Sequence, residues 1–530
     1  MPELNQDELK KGFIDAMMSP SADLTNWARN ERGFAGGGEN IARAILSAAG
    51  VDQGEAIAKA ISTATGLVAF DLQAPAKNLY PVVTPIRNRL PRVGGGVGTA
   101  TNWRQVSAIT GSGYDNIGSV PEGQRAGQMS YTTATKSASY ATLGEEDQVT
   151  FEAIGAARTF EDIQATMAIR LLQKTMLKEE ITLLAGNNSL ALGTPGTPTL
   201  AAAGTGGTLP AATYSVIVVA LTLQGYYNSS LSGGVATSKT VTGADGKTFS
   251  INGGSSQKSA NATQAVTLGQ TLSCTVAAVN GAAAYAWYVG TAGAEKLEKI
   301  TTINSATFSA PLAGTGQAAT AVTADSSSNS TDFDGLLTTA LKSGSGAFVN
   351  TLATGTAGTG TTLTASGRGS VVEIDTALQS MWDNFQVSPT VIWANSQQIK
   401  DITTKVLSGT GSGSLLQYRQ DPNGGGYTID AGGMISTYYN PFLIDGGMRI
   451  PVKIHPRVPP GTLLFWAENL PAQYQSSEVP NVAEVKVRQD YYALDWPPVT
   501  RARQRGVYVE EVLAVYAPFA MGVINNIAAG

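Results

Sequence analysis

The amino-acid sequence predicts a β-rich α+β protein made of several domains. A long helix pattern runs from Thr159 to Gly186, and strand-like alternation fills residues 102–151. After Gly193 the composition changes abruptly to Gly, Ala, Thr and Ser, interrupted by short apolar strands. Because a chain of 530 residues is too long for one hydrophobic core, we expect about two to four domains arranged around the long helix.

The N-terminal part of the chain has two sections. Residues 1–65 carry short helical patterns, and they form either a compact cap or an extended arm that orders against a partner. Residues 67–93 contain Pro75, Pro81, Pro85 and Pro91. Because proline fixes φ and donates no backbone hydrogen bond, we expect an extended arm that crosses a surface.

The segment Asn102–Phe151 alternates polar and apolar side chains with the period of a strand and is interrupted by a glycine-rich loop, which predicts one long β-hairpin. It holds too few apolar side chains for a core of its own. A hairpin of this length should therefore lean on another chain.

The helix that follows has one face built for burial. Thr159 is positioned to cap its start, and Gly186 to end it in the left-handed conformation. A proline at Leu172 should break it. The apolar side chains that recur at mostly three- and four-residue steps are Phe160, Ile163, Met167, Leu171, Leu172, Met176, Ile181 and Leu184.

Residues 194–330 read as a β-sandwich of short strands divided by turn residues. Within it, Cys274 is expected to be a small buried side chain, since no cationic neighbour would lower its pKa. The run NGAAAYAWYVGTAG resembles a fibronectin type III or bacterial immunoglobulin-like domain, in which a tyrosine and tryptophan strand packs the core.

From residue 331 onward the pattern is that of a mixed α/β domain. A helix over Ser370–Phe385 is followed by a buried strand, Pro389–Asn395, and by a helix with the sequence SQQIKDITTKVL. The glycine-rich loop TGTAGTGTTLTASGRG, which has no lysine-serine pair to hold phosphate, is expected to be flexible. The chain closes on long apolar strands.

Composition argues against several function classes. With 35 Lys plus Arg against 40 Asp plus Glu, the formal charge of −5 gives no general attraction to nucleic acid or anionic membrane. One cysteine and one histidine, Cys274 and His455, disfavour a disulfide or a zinc site, and we expect no cofactor and no metal. His455 is expected to be structural, because no nucleophile motif accompanies it. The polar N-terminus and the lack of a long apolar run favour a cytosolic chain without a membrane span.

The order of elements resembles the major capsid protein of tailed bacteriophages, the HK97-like fold. The segments that carry the resemblance are Pro389–Asn395, Gly461–Leu470 and Val507–Ala517. It implies a discontinuous peripheral domain from residues 66–190 and 481–530, with the long helix as its spine and the hairpin as its extended loop. It also implies an axial domain over 331–480 and a sandwich inserted between them and displayed on the outer shell surface.

The function that this resemblance implies is assembly rather than catalysis. Copies would form hexamers and pentamers of an icosahedral shell around genomic double-stranded DNA, assembled in the bacterial host cytoplasm and found in the virion. Portal, scaffolding or decoration proteins would be partners, and residues 1–65 could act as scaffold. In crosslinked members of the family a lysine near the loop tip joins a neighbour's asparagine. The lysine in the hairpin here, Lys136, lies on the returning arm, so we expect no crosslink.

Charged clusters are the candidate contact sites. Two arginine clusters are expected to meet acids of neighbouring subunits or DNA phosphates, with a solvated charged stretch as the alternative: Arg87, Arg89 and Arg92, and Arg501, Arg503 and Arg505. In a strand, the second cluster would form one cationic row. Acids expected to meet arginines between subunits are Glu145, Glu146, Asp147, Glu510 and Glu511. The polar face of the long helix, Arg170, Lys174 and Lys178, would face the DNA.

Two other classes compete with a capsid protein. A surface-displayed, β-rich adhesin would use the sandwich to bind carbohydrate, but the sequence has no export signal. A β-rich hydrolase would need carboxylates facing one another across a cleft, and adjacency in sequence, as in Glu145-Glu146, does not supply that.

Overall fold

The computed structural model describes residues 82–110, 116–158, 162–204, 206–243, 245–366, 369–407, 418–420, 427–429, 435–443, 446–470, 474 and 480–529. All of them belong to one compact unit, Leu79–Gly530. The predictions for residues 1–65, and for Pro75 and Pro81, lie outside the described residues. The predicted mixture of helices with a larger share of strands is confirmed.

The secondary structure of the described part is as follows. The helices are α1 (Phe151–Ala157), α2 (Ile163–Ala185), α3 (Leu223–Asn228), α4 (Leu336–Leu341), α5 (Val372–Phe385) and α6 (Ser396–Leu407). The strands of the first half are β1 (Arg92–Val93), β2 (Ala100–Thr110), β3 (Ser130–Ser139), β4 (Ala141–Thr150), β5 (Thr199–Ala203), β6 (Ala212–Leu221), β7 (Ser238–Thr242), β8 (Thr248–Asn252), β9 (Ala262–Val266) and β10 (Thr271–Thr275). Those of the second half are β11 (Ala284–Gly290), β12 (Lys296–Thr301), β13 (Ser305–Phe308), β14 (Phe348–Thr351), β15 (Val391–Ala394), β16 (Tyr418–Gln420), β17 (Tyr427–Ile429), β18 (Thr437–Asn440), β19 (Met448–Ile454), β20 (Leu463–Trp466), β21 (Ala483–Trp496), β22 (Ala502–Val515) and β23 (Met521–Asn525).

Helix α2 confirms the predicted long helix but not its predicted caps. Its N-cap is Asp162, whose Oδ1 accepts hydrogen bonds from the backbone N–H groups of Gln164 and Ala165, each at 3.1 Å. At its end Gly186 has a φ of −53°, so the predicted left-handed conformation is wrong. A Cβ on Gly186 would lie 2.5 Å from the carbonyl oxygen of Phe333, so close backbone approach accounts for the glycine.

The buried face of α2 follows a four-residue series. Its members are Met167, Leu171, Thr175, Glu179 and Leu183. The predicted burial of Met167, Leu171 and Leu184 is confirmed, whereas Leu172 is 37% exposed. Phe160 lies outside the described residues. Each fully buried apolar side chain of this kind contributes about 1.5–3 kcal/mol to folding.

The sheet that covers α2 has the strand order β1-β21-β22-β4. β1 runs parallel to β21, and β22 is antiparallel to both β21 and β4. Met167 and Leu171 of α2 contact Val149 of β4 and Val507 of β22. Strands from before and after the middle of the sequence therefore build one layer against the helix.

The predicted hairpin is shorter than expected. β2 pairs with β3 from Ala100↔Ser139 to Thr110↔Ser130, but β4 leaves the hairpin and pairs with β22. The prediction that the hairpin continues to Phe151 is wrong, because β4 buries Ala141 and Val149 against the main body. At the hairpin base, Trp103 packs edge to face on Tyr516 with ring centroids 5.6 Å apart.

Residues 199–308 form antiparallel sheets with the orders β13-β10-β5 and β12-β11-β6-β9. A buried cluster draws side chains from both sheets, including Val216, Leu272, Cys274 and Trp287. The opposite side of β6 and β11 is also covered, with Val219 and Tyr288 packed in a second cluster. Burial on both faces explains why β6 reads as a continuous apolar run. The β7–β8 hairpin is largely exposed.

The sheet in the last third has the order β14-β23-β20-β15-β19-β18. Its strand β15, predicted as buried, is covered on both faces. The C-terminal strand β23 pairs with β20 and β14 rather than with β21 or β22. Residues 481–530, predicted as the second part of the peripheral domain, thus give β21 and β22 to the first sheet and β23 to this one, where Ile524 packs with Leu463 and Phe465.

The low-complexity loop after β14, predicted to be flexible, is bonded to residues 304–307. Thr307 Oγ1 donates to the carbonyl oxygen of Ala357 at 2.9 Å, and the N–H of Gly358 donates to Ser305 Oγ at 3.0 Å. A Cβ on Gly360 would meet Ala528 and Ile303. The glycines here permit close packing, and the flexibility predicted for this loop stays a prediction.

Candidate functional site

The first arginine cluster lies where the chain enters the body. Residues 84–90 form a helical turn, with the N–H of Leu90 donating to the carbonyl oxygen of Ile86 at 3.0 Å. The predicted extended course is wrong here. Arg87 and Arg92 face the buried end of α2, and Arg89 pairs with Glu468 and lies over the ring of Trp393.

Glu179 is the acid at the centre of this cluster, and its side chain is fully buried. Its Oε2 accepts from Arg87 Nε at 2.6 Å and from the hydroxyl of Tyr491, and its Oε1 accepts from Arg92. The two guanidinium groups also lie over the Tyr491 ring. These arginines pair with acids of their own chain, and contacts with neighbouring acids or phosphates stay a prediction.

Glu180, the next residue, holds a second set of partners. Its carboxylate accepts from the backbone N–H groups of Ile86 at 2.9 Å and Arg87 at 2.7 Å. His455 Nε2, at the end of β19, lies 2.6 Å from Glu180 Oε1. Because His455 Nδ1 accepts from the N–H of Arg457 at 3.0 Å, the imidazole carries its proton on Nε2 and donates it to Glu180.

Glu511 of β22 is the third buried acid. Its Oε2 lies 3.0 Å from Arg92 Nη2, yet neither of its oxygens makes a well-aligned hydrogen bond within the described part of the chain. Burial, with the nearby charge of Glu179, raises the pKa of Glu511 to about 8. Within the chain its cationic partner is Arg92, and a contact between subunits stays a prediction.

The remaining acids also have partners inside the chain. Glu145 pairs with Lys178 of α2, and Glu146 accepts from the hydroxyl of Tyr508. Glu510 accepts from Arg488 Nε at 2.6 Å. Asp147 accepts from the neighbouring N–H of Gln148. The Lys178–Glu145 pair links α2 to the edge strand β4, and the Arg488–Glu510 pair links β21 to β22.

The second arginine cluster does not form one unpaired row. Arg501 pairs with Glu152 at 2.8 Å, with both side chains largely exposed, and Arg503 donates to Gln164 Oε1 at 3.0 Å. Arg505 makes two hydrogen bonds, 2.6 and 2.9 Å long, to Asp495 on the opposing strand and so lowers the pKa of that carboxyl. Exposed pairs of this kind contribute little to stability.

Arg170 and Lys174 differ from the other candidates. Both are exposed on α2, one turn apart, and neither makes an ion pair with the described residues. Lys178, one turn further on, is the member of this face that pairs with Glu145. Arg170 and Lys174 are therefore the candidate cations that the chain leaves available to an anionic partner.

Other chemistry finds little support in the described part of the chain. Across the described ranges, no group of three or more His, Cys, Asp or Glu residues could hold a metal ion. Burial raises the pKa of the Cys274 thiol to about 12, which keeps it protonated and unreactive. Among the helices that the structure describes, none is long and apolar enough to cross a membrane.

Sequence reasoning missed the pair Glu179-Glu180. A signal was present, because Glu179 continues the buried series of Met167, Leu171 and Thr175 at four-residue steps. A carboxylate on the buried face of a helix requires a cationic or hydrogen-bonding partner. The position of Glu511 in an apolar strand carries the same signal.

No protein-family model matches the chain, and no curated protein matches it. Among solved structures it is similar to a capsid of a native GTA particle, with 9% identity, a TM-score of 0.38 and coverage of 87% of this chain and 96% of that one. It is similar to the capsid of Myoviridae phage XM1, with 9% identity, a TM-score of 0.38 and coverage of 88% and 99%. A third is the SrpI encapsulin of Synechococcus elongatus PCC 7942, with 9% identity, a TM-score of 0.37 and coverage of 88% and 95%.

Proposed function

We propose that this chain is the major capsid protein of a tailed bacteriophage, with an HK97-like fold, and that many copies assemble into an icosahedral head shell around double-stranded DNA. The observation that carries the proposal is the layer β1-β21-β22-β4 on α2. It joins strands before and after the middle of the sequence against one long helix, as expected for a discontinuous peripheral domain with a spine.

The β2–β3 hairpin supports assembly for an energetic reason. Residues 116–131 are exposed, and among them Ile117, Val120, Met129 and Tyr131 present apolar side chains to solvent. An isolated two-stranded ribbon is at best marginally stable in water. A neighbouring copy that covers these side chains would stabilise the hairpin and form a subunit contact.

The sheets of residues 199–308 are proposed to form an inserted, immunoglobulin-like sandwich displayed on the outer surface of the shell. Their stem is fixed by hydrogen bonds: Asp334 accepts from the N–H groups of Asn188 and Ser189, at 2.9 and 3.0 Å. The far turn, with Leu268 at 76% exposure, is free to face outward. A peptide tag inserted beside Leu268 should be bound by its antibody on intact shells.

Arg170 and Lys174 are proposed to face the shell interior and contact the DNA non-specifically, since phosphate contacts need cations that are not already paired. Hexamers and pentamers of the chain would meet a portal and scaffolding or decoration proteins, with assembly in the host cytoplasm. Arg170→Glu combined with Lys174→Glu should reduce retained DNA. Lys239→Glu, an exposed change on β7, should not.

Electron microscopy and sedimentation of the purified full chain test the function itself. Closed shells are the expected product, whereas monodisperse monomers at high concentration would contradict the proposal and favour an adhesin. Ile117→Asp combined with Met129→Asp should reduce shell yield on the order of tenfold by placing charge in an apolar contact. Leu268→Asp is the matched control. An equal loss of shell yield in the control and in the double variant would show that the hairpin does not form the subunit contact.

A further inference from the structure

Two buried acids share one arginine at the junction of β1, α2 and β22. Glu179 and Glu511 each have a fully buried side chain, and Arg92 reaches both of them. Taking two carboxylates out of water is unfavourable unless each is paired or protonated. Their partners decide which of the two carries a proton.

The partners of the two acids are unequal. Glu179 accepts from Arg87, Arg92 and Tyr491, which is the environment of an ionised carboxylate. Glu511 has one guanidinium edge at 3.0 Å, and its oxygens make no well-aligned hydrogen bond within the described residues. Arg92 is also drawn towards Asp490, 2.8 Å away on β21.

The charged groups near Glu511 come from several elements of the chain. From β1 and the preceding turn come Arg92 and Arg87, and from α2 and β21 come Glu179, Asp490 and Tyr491. The β4 residue opposite Glu511 is Ala141, which adds no charge. Asp490 is largely exposed, so the two buried acids decide the balance: Glu179 has both guanidinium groups, Glu511 has only a share of Arg92, and a proton on Glu511 removes the less well paired buried charge.

We propose that a proton held on Glu511 beside Glu179 fastens residues 86–93 to the body of the chain, and that its loss in alkaline solution loosens this segment. An ionised Glu511 attracts Arg92 but adds a second buried charge that repels Glu179, and both acids hold Arg92 of β1, so the cost acts on the site that fastens the segment. Glu180 separately accepts hydrogen bonds from the backbone N–H groups of Ile86 and Arg87. Because these bonds do not involve Glu511, the segment should open locally while the rest of the chain stays folded.

The direction of the effect follows from linkage. Burial and the charge of Glu179 raise the pKa of Glu511 to about 8, above its value in an unfolded chain. A raised carboxyl pKa contributes stability that is fully present below the unfolded pKa and is lost as pH rises through the folded one. The loss therefore runs from the unfolded pKa up to about pH 8, so the segment should be held more firmly at pH 6 than at pH 9.5.

Amide hydrogen exchange of the full chain, corrected for the intrinsic rate at each pH, tests this. In the wild type, protection of the N–H of Val485, which donates to Pro91 O, should fall on the order of tenfold between pH 6 and 9.5. Glu511→Gln, which mimics the protonated acid, should keep its protection. Glu510→Gln, a change at the neighbouring acid, which pairs with Arg488 rather than Arg92, should behave like the wild type.

Two results would overturn the proposal. The first is that Glu511→Gln loses as much protection as the wild type between pH 6 and 9.5. The second is that Glu511→Gln is less protected than the wild type at pH 6, which would mean that Glu511 is ionised in the wild type at that pH. If Glu511→Gln does not fold, the wild type alone decides: the infrared band of a protonated carboxyl group should disappear between pH 7 and 9.5. The inference concerns the chain itself, so it stands or falls independently of shell assembly.

Discussion

Glu180 Oε1 lies 2.6 Å from His455 Nε2 in the interior, where both side chains are essentially inaccessible to solvent. The same carboxylate accepts from the N–H groups of Ile86 and Arg87. One glutamate on α2 thereby joins the entry turn, the helix and the end of β19. The contact spans 275 residues of sequence and joins α2, which packs on the first sheet, to the end of β19 in the last one.

Glu180→Ala should lower the free energy of unfolding by about 3 kcal/mol or more, because it leaves buried donors on Ile86, Arg87 and His455 without an acceptor. Denaturant unfolding of the full chain measures the change. Glu122→Ala, an exposed acid on the hairpin, is the control and should stay within about 0.5 kcal/mol of the wild type. Equal effects in the two variants would contradict the structural role of Glu180.

The sequence could predict this site only in part. The apolar periodicity of α2 correctly indicated a buried face, and Glu179 on that face signalled a buried charge. Periodicity does not name the partner, however. Arg87 lies 92 residues away from Glu179, and any of the chain's cationic residues would satisfy the same local pattern. The turn at 84–90 was missed for the same reason, since distant Glu180 accepts its N–H groups.

Strand partners were harder to predict than strands. Alternation identified β3 and β4 as extended, but both read alike locally, and only the buried positions of Ala141 and Val149 direct β4 to β22. β23 is mostly apolar and buried along its whole length, which fits any central strand. Glycine abundance likewise indicated loops without indicating that residues 355–360 pack closely on residues 303–307.

Leu172→Pro should break α2 and lower the free energy of unfolding by about 3 kcal/mol or more, because proline removes a helix hydrogen bond and clashes with the preceding turn. Circular dichroism and denaturant unfolding report the loss. Leu172→Ala distinguishes the effect on the helix backbone from the loss of side-chain packing. Because this side chain is partly exposed, its truncation should lower the free energy of unfolding by about 1 kcal/mol or less. A comparable loss in the alanine variant would assign the effect to packing instead.

Asn526 and Asn304 exchange hydrogen bonds of 2.9 and 3.0 Å, and Asn526 sits at a φ of +59°. Asn526→Ala should destabilise the chain by about 2–4 kcal/mol, from the lost hydrogen bonds and from left-handed strain. Asn526→Gly loses the same hydrogen bonds without the strain, so it should be milder by about 1 kcal/mol. Identical unfolding free energies for the two variants would show that the backbone conformation carries no cost.

Cys274 should resist alkylation in the folded chain. Its side chain is fully buried, and burial raises the pKa of the thiol to about 12, so at pH 8 the reactive thiolate is scarce as well as inaccessible. Iodoacetamide labelling followed by mass spectrometry should find no modification in native protein and one per chain in denaturant. Rapid labelling of native protein would place Cys274 outside the core.

Lys136 pairs in register with Trp103 near the hairpin base, well away from the exposed tip residues 116–129. An ammonium group held there does not reach a neighbour across the tip, so we expect assembled shells to carry no covalent link between chains. Boiled shells on a denaturing gel should run as a single band of 54.8 kDa, without a ladder. A ladder that persists in the wild type would contradict this expectation. If the ladder then disappeared in Lys136→Arg but remained in Lys239→Arg, Lys136 would be identified as the residue that crosslinks.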